Sequence, residues 1–99
     1  MEKEIKQILL EIIELLESVG EYHWKNILKR LYTDNSCRKD WLREIKSIFG
    51  GMGSFTDLVL MRNNVVCMDE NKKLDQLRER LYNRTVEYFI EVTHSERSE

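Results

Sequence analysis

Three observations predict a mainly α-helical, α+β domain with three helices, a β-hairpin and a long C-terminal helix around one core. Apolar residues recur at the 3.6-residue spacing of helices before residue 50 and again after residue 70. Between these regions, a cluster of glycines precedes two short apolar runs without that spacing, which is typical of short strands. The chain contains no proline that would interrupt its helices.

Length and charge limit the class of protein. The 99 residues fit one domain, 1–99, with the polar residues 94–99 as a frayed tail. A hydrophobic content of 41% and a charged content of 34% fit a soluble folded protein and argue against disorder. The net charge of −2 is segregated, because residues 1–21 hold six acids and two bases while residues 22–49 hold seven bases and three acids. This near-cancellation disfavours general nucleic-acid binding.

The helices are predicted from their apolar faces and end signals. The clearest covers residues 2–19 and ends at Gly20, since glycine enters the left-handed conformation without strain. The second covers 21–33 and the third 37–49, each with a tryptophan, Trp24 or Trp41, expected in the core. The last helix begins near Asn71 or Leu74 and ends near Val92.

The hairpin is predicted from two apolar runs, 57–61 and 65–68, which flank Arg62-Asn63-Asn64. Asparagine tolerates positive φ, so a tight turn fits this position. The runs are continuously apolar instead of alternating. The sequence therefore predicts either a hairpin covered on both faces or one face that meets a partner.

Residues 50–57, Gly-Gly-Met-Gly-Ser-Phe-Thr-Asp, join the third helix to the hairpin and are called the glycine joint below. Phosphate-binding loops place their glycines between a strand and a helix, often before Gly-Lys-Ser/Thr, and this order is reversed here. Ser54 lacks the Gly-x-Ser-x-Gly context of a hydrolase nucleophile, so Ser54 and Asp57 are expected to bond local backbone groups. Met52 and Phe55 are apolar and belong either to the core or to a partner contact.

No catalytic, metal or cofactor site is predicted. His23, Cys37, Cys67 and His94 each stand alone, without the close pairs typical of zinc ligands. The start of the chain is too charged for a signal peptide, and no apolar window is long enough to span a membrane. Reduced thiols and a cytoplasmic location are therefore expected.

One alternative is a winged-helix nucleic-acid-binding protein, because a basic third helix precedes the hairpin. The residues that would contact nucleic acid are Arg38, Lys39, Arg43 and Lys46. Asp40 and Glu44 reduce the positive charge of the third helix, and Arg62 is the only basic residue of the predicted wing.

Residues 49–60, Phe-Gly-Gly-Met-Gly-Ser-Phe-Thr-Asp-Leu-Val-Leu, resemble a motif of a small uncharacterised bacterial family. That family carries Gly-Gly-Met-Gly-Ser-Phe-Asn-Asp-Leu after two or three helices and before a hairpin and a closing helix. Residues 15–24 also look like its helix junction, with Trp24 as the tryptophan, whereas Thr56 replaces the asparagine of the motif. The resemblance implies an immunity or antitoxin role beside bacterial toxin or contact-competition systems.

The function expected from these features is non-enzymatic protein binding that neutralises a bacterial partner by covering its active surface, with charge complementarity aiding association. A self-associating structural domain, such as a homodimer, is a further alternative. Nucleic acid and membranes are not expected partners. The predicted partner-binding residues are Gly51, Met52, Gly53, Ser54, Phe55, Thr56, Asp57 and Arg62.

Overall fold

The computed structural model of the chain describes residues 1–50 and 53–97. Four α-helices, one turn of 3₁₀ helix and a two-stranded antiparallel sheet follow one another along the chain. They are α1 (Glu2–Ser18), α2 (Tyr22–Thr33), α3 (Arg38–Ser47), the 3₁₀ turn (Phe55–Asp57), β1 (Met61–Arg62), β2 (Val65–Val66) and α4 (Met68–Arg97). The predicted fold class is confirmed.

Helix α1 is the central element of the core. It packs against both α2 and α4, which requires an apolar stripe wide enough for two neighbours. Its buried residues are Ile5, Ile8, Leu9, Ile12, Ile13, Leu15 and Leu16. Gly20 ends the helix with φ +76°, as predicted, and the N–H of Glu21 donates to the carbonyl of Leu16 at 2.9 Å. The Glu21 carboxylate then caps α2 by accepting the N–H of Trp24 at 2.8 Å.

Helix α4 has 30 residues and starts earlier and ends later than predicted. Met68 begins it directly after the hairpin, and Asp69 and Glu70 occupy the first turn, where negative charge is favourable. Residues 94–97, predicted as tail, continue the helix to Arg97. Arg84 pairs with Glu4 of α1 at 2.9 Å, and this long helix contributes to the 54 × 22 × 21 Å dimensions of the molecule.

The two tryptophans stabilise the packing of α2 and α3. Trp41 is 2% exposed, and its indole Nε1–H donates to the carbonyl of Leu31 at 2.8 Å, so its polar atom is satisfied inside the core. Trp24 is half-buried and packs against the core. The prediction that both residues belong to the core is therefore confirmed for Trp41, and Trp24 lies at the core boundary.

The hairpin is tight, with Met61 opposite Val66 and Arg62 opposite Val65. Asn63 and Asn64 connect the strands with φ values of +54° and +63°. Positive φ at both central residues is the signature of a type I′ turn, whose twist matches that of the strands. The asparagine pair was the correct signal for this turn.

Candidate functional site

The glycine joint buries the aromatic ring that sequence alone left unassigned. Phe55 is fully buried, with its ring centroid 5.2 Å from that of Trp24 and 5.9 Å from that of Phe49. The 3₁₀ turn directs this ring into the core, where burial removes a large apolar surface from water. Phe55 was predicted to contact a partner, and that prediction is wrong because its side chain is inaccessible. Gly51 and Met52 lie outside the described residues.

The polar residues of the joint bond to one another. The hydroxyls of Ser54 and Thr56 lie 2.7 Å apart, and the N–H of Gly53 donates to Asp57 Oδ2 at 2.9 Å. Gly53 has φ +72°, a conformation that glycine adopts without strain. Ser54 is buried, which removes it from the predicted contact residues, whereas Gly53, Thr56 and Asp57 are exposed. In the described ranges, no histidine is hydrogen-bonded to Ser54 or Asp57.

Arg78 of α4 fixes the path of the chain as it leaves the joint. Its Nη1 donates to the carbonyls of Phe55 at 2.7 Å and Leu58 at 3.1 Å, and its Nη2 pairs with Asp75. The guanidinium carbon also lies 5.7 Å from the centroid of the Phe55 ring, within cation–π range. The Arg78 side chain is mostly buried, so its contacts are structural.

Asn71 holds the base of the hairpin with its side-chain amide. Its Oδ1 accepts the N–H of Leu60 at 2.8 Å, and its Nδ2 donates to the carbonyls of Leu60 and Cys67 at 2.9 and 2.8 Å. The amide thus takes the place of one backbone hydrogen bond between Leu60 and Cys67, and it fixes the hairpin to the first turn of α4. Sequence reasoning assigned Asn71 only to the helix start, since no local pattern links it to Leu60.

Most apolar side chains of the hairpin are exposed. Paired residues of a hairpin share a face, and successive residues alternate between faces. Leu60, Arg62, Val65 and Cys67 therefore lie on the inner side, where Leu60 is buried at the base of the hairpin and Val65 is 66% exposed next to the turn. The other side carries the paired residues Met61 and Val66, which are 50% and 44% exposed. Together with the flanking residues Val59 and Met68, which are 56% and 76% exposed, they are called the outer hairpin face below. The predicted alternative in which both faces are covered is wrong for the part of the chain that the structure describes, because these side chains are exposed.

Arg62 anchors the hairpin to the end of α1. It lies on the inner side, and its Nη2 donates to the carbonyl of Ser18 at 2.6 Å. This bond satisfies one of the carbonyls that the last turn of a helix leaves free. Although Arg62 was predicted as a partner contact, its guanidinium already has a partner within the chain.

A cleft lies beside the hairpin. Residues 58–61 form one wall, and Val19, Gly20 and Glu21 of the α1–α2 corner form the other. The cleft has a volume of about 220 Å³. It therefore runs along the extended segment that leads into β1.

The basic residues of α3 contact aromatic rings of α4. Arg38 lies 5.7 Å from the Tyr88 ring centroid, and Arg43 and Lys46 lie 5.9 and 4.4 Å from that of Phe89. Burial raises the pKa of the Tyr88 hydroxyl above its ordinary value. Lys39 is half-buried and also makes a contact within the chain. Three of the predicted nucleic-acid contacts, Arg38, Arg43 and Lys46, thus contribute to the packing of α3 on α4.

A second cleft of about 490 Å³ separates α2 from α3 and has Arg30, Asp34 and Glu44 among its lining residues. The backbone N–H of Ser36 donates to Asp34 Oδ1 at 2.8 Å and lowers the pKa of that carboxyl. Within the described ranges, no group of three or more histidine, cysteine or acidic side chains could hold a metal ion. No helix in the same ranges is long and apolar enough to cross a membrane.

Comparison with known proteins gives one match. A family model described as a domain of unknown function, DUF6966, matches residues 17–68. This segment runs from the end of α1 to the first residue of α4 and contains the glycine joint, the hairpin and both walls of the hairpin cleft. No curated protein and no solved structure matches the sequence. Because the family model covers more than half of its length, the chain belongs to the DUF6966 family.

Proposed function

We propose that this protein is a non-catalytic protein-binding module that contacts its partner through the outer hairpin face. The observation that carries the proposal is the exposure of four apolar residues, Val59, Met61, Val66 and Met68, on and directly beside a fixed hairpin. Such a surface is on the order of a few hundred Å², the size of the largest apolar patch on a typical monomer, and these patches are often functional. Methionine is well suited to such contacts because its flexible side chain adapts to a partner surface.

The hairpin is held rigidly enough to serve as a binding surface. Asn71 fixes its base, Arg62 fixes its inner side to α1, and Arg78 fixes the segment before it. A contact surface that is already ordered loses little conformational entropy on binding. The exposed residues of the glycine joint, Thr56 and Asp57, are close to this surface in sequence and form its polar flank in the proposal.

The biological role proposed is that of a cytoplasmic bacterial immunity or antitoxin protein, which blocks a toxic partner by covering its active surface. The glycine-joint motif supports this role through the resemblance described above. Both cysteines, Cys37 and Cys67, are free, which fits a reducing compartment. Catalysis is not part of the proposal, because stoichiometric binding accounts for neutralisation.

The test is co-expression with the protein encoded by the adjacent gene. We expect that protein to arrest growth alone, and we expect co-expression of this chain to restore growth through a 1:1 complex measured by light scattering. A matched pair of variants locates the contact. Val66→Lys, on the outer hairpin face, should abolish rescue, whereas Ile90→Lys, at another exposed apolar position on α4, should preserve it. A harmless neighbour, or growth that this chain does not restore, would refute the immunity role.

A further inference from the structure

We propose that the partner adds an extended segment to the free edge of β1, pairing with the backbone of Val59 and Met61 to form a third strand. The inference rests on the proposed function and deepens it, because it names the kind of partner structure that the site accepts. Strand addition uses backbone hydrogen bonds for affinity and alternate side chains for specificity.

The hydrogen-bond pattern of the hairpin shows which backbone groups are free. The N–H of Cys67 donates to the carbonyl of Leu60 at 3.0 Å, so these two residues form a hydrogen-bonded pair. In an antiparallel ladder such pairs alternate with pairs that do not exchange hydrogen bonds. Met61 and Val66 are therefore such a non-bonded pair, and the N–H and carbonyl of Met61 point away from β2.

The same alternation applies one step earlier in the chain. Both backbone groups of Leu60 are used on the side of β2, by Cys67 and by the Asn71 amide. In an extended segment, the backbone N–H and carbonyl of Val59 then point away from β2, in the same direction as those of Met61. The described residues offer this edge no hydrogen-bond partner from outside the hairpin. Unpaired strand edges of this kind are templates for an added strand.

Two features favour the edge of β1 over that of β2. Leu58 has an extended conformation, φ −66° and ψ 126°, so the edge begins before β1 itself, whereas β2 gives way to α4 at Met68. The 220 Å³ cleft also lies beside residues 58–61, with Val19, Gly20 and Glu21 on its far side. A strand on β1 would thus pair with the edge and contact the α1–α2 corner.

A second copy of this chain fits the edge of β1 less well than an extended segment of a different protein. Two outer hairpin faces packed together would bury well under the about 1,200 Å² found in stable specific interfaces. The strands have two residues each, so an edge-to-edge pair of hairpins would add few hydrogen bonds. A longer strand from a partner uses the whole edge from Val59 to Met61 and leaves the rest of the partner to cover the outer hairpin face.

Amide hydrogen exchange in the complex with the adjacent-gene product tests the inference. We expect the Met61 amide to exchange at least roughly tenfold more slowly in the complex, while the Val66 amide, which points from the opposite edge, keeps its rate. Equal protection of both amides, or protection of Val66 alone, would overturn strand addition at β1. Protection of Met61 in a dimer of the free chain would assign the edge to self-association instead and also overturn it.

Proline variants separate backbone pairing from side-chain contact. Met61→Pro removes the backbone N–H that points away from β2 and leaves the hydrogen bonds between β1 and β2 intact. It should weaken binding of the partner roughly 10- to 100-fold. Met61→Ala loses the same side chain but keeps the N–H, so it should bind roughly tenfold more tightly than Met61→Pro. Circular dichroism checks that each variant is folded. Equal affinity of Met61→Pro and Met61→Ala refutes the inference but leaves the proposed function intact, whereas absence of any complex refutes both.

Discussion

At the scale of single residues, Phe55 shows how the glycine joint contributes to stability. Its ring lies between Trp24, Phe49 and the guanidinium of Arg78, and therefore links α2, the end of α3 and α4. Truncation of a buried phenylalanine costs about 3–5 kcal/mol. A binding defect in Phe55→Ala would consequently report loss of folding, and the exposed residues of the outer hairpin face are the informative ones.

Thr85 is a buried residue whose replacement should stabilise the protein. It is fully buried on the core side of α4, and its hydroxyl has no hydrogen-bond partner among the residues that the structure describes. An unsatisfied buried polar group costs about 1–3 kcal/mol, and valine has the same shape without the hydroxyl. We expect Thr85→Val to raise the melting temperature by about 4–8 °C, the shift for about 1 kcal/mol in a domain of this size.

The control for Thr85 is serine, which keeps the hydroxyl and loses the methyl group. Thr85→Ser should lower the melting temperature, because it leaves the unsatisfied group in place and creates a small cavity. A lower melting temperature for Thr85→Val than for the parent would show that the hydroxyl is satisfied in solution.

Asn71 is the residue on which the geometry of the hairpin depends most. Aspartate in its place accepts the Leu60 N–H but cannot donate to the carbonyls of Leu60 and Cys67. We expect Asn71→Asp to lower the free energy of unfolding by about 1–3 kcal/mol in urea denaturation, reduced slightly by favourable charge at the helix start.

Asn83→Asp is the matched control, because Asn83 is exposed on the same helix. Its effect should stay within about 0.5 kcal/mol, as for most surface substitutions. Equal effects of the two variants would contradict the assigned role of the Asn71 amide.

At the scale of elements, α3 and α4 are joined by cations over aromatic rings. Lys46 lies closest, with its Nζ 4.4 Å from the Phe89 centroid. We expect Lys46→Gln to lower the free energy of unfolding by about 0.5–1 kcal/mol, the range for exposed cation–π contacts. Lys29→Gln, on the exposed side of α2, should have no measurable effect. If Lys46→Gln leaves stability unchanged, the contact of Lys46 with the Phe89 ring does not stabilise the packing of α3 on α4.

The elements differ in how far sequence could predict them. Helix α1 was predicted to within one residue, because its apolar stripe and Gly20 are local signals. The Asn63-Asn64 turn was also predicted, since positive φ depends on these two residues alone. The strands proved shorter than the apolar runs around them, because Leu60 bonds to Asn71 and Met68 enters α4.

The candidate site was predicted less well than the fold, for a physical reason. Whether an apolar residue faces the core or the solvent depends on contacts between distant segments, which a local pattern does not contain. Phe55 and Met61 are both apolar and six residues apart, yet the first is fully buried and the second is 50% exposed. Arg62 likewise bonds to Ser18, a contact across 44 residues that no motif indicates.

At the scale of the whole molecule, the free chain is expected to be a monomer of about 12 kDa. Its outer hairpin face alone is too small for a stable symmetric interface. Light scattering at micromolar concentration should give the monomer mass. A stable dimer that Val66→Lys dissociates would assign this face to self-association.

The central claim is that the outer hairpin face binds a protein partner. Isothermal titration of the adjacent-gene product against purified variants tests it most directly. Burial of an unpaired lysine in an apolar contact is costly, so we predict at least roughly 100-fold weaker binding for Val66→Lys, with Ile90→Lys within about threefold of the parent. Unchanged affinity of a folded Val66→Lys variant would contradict the claim.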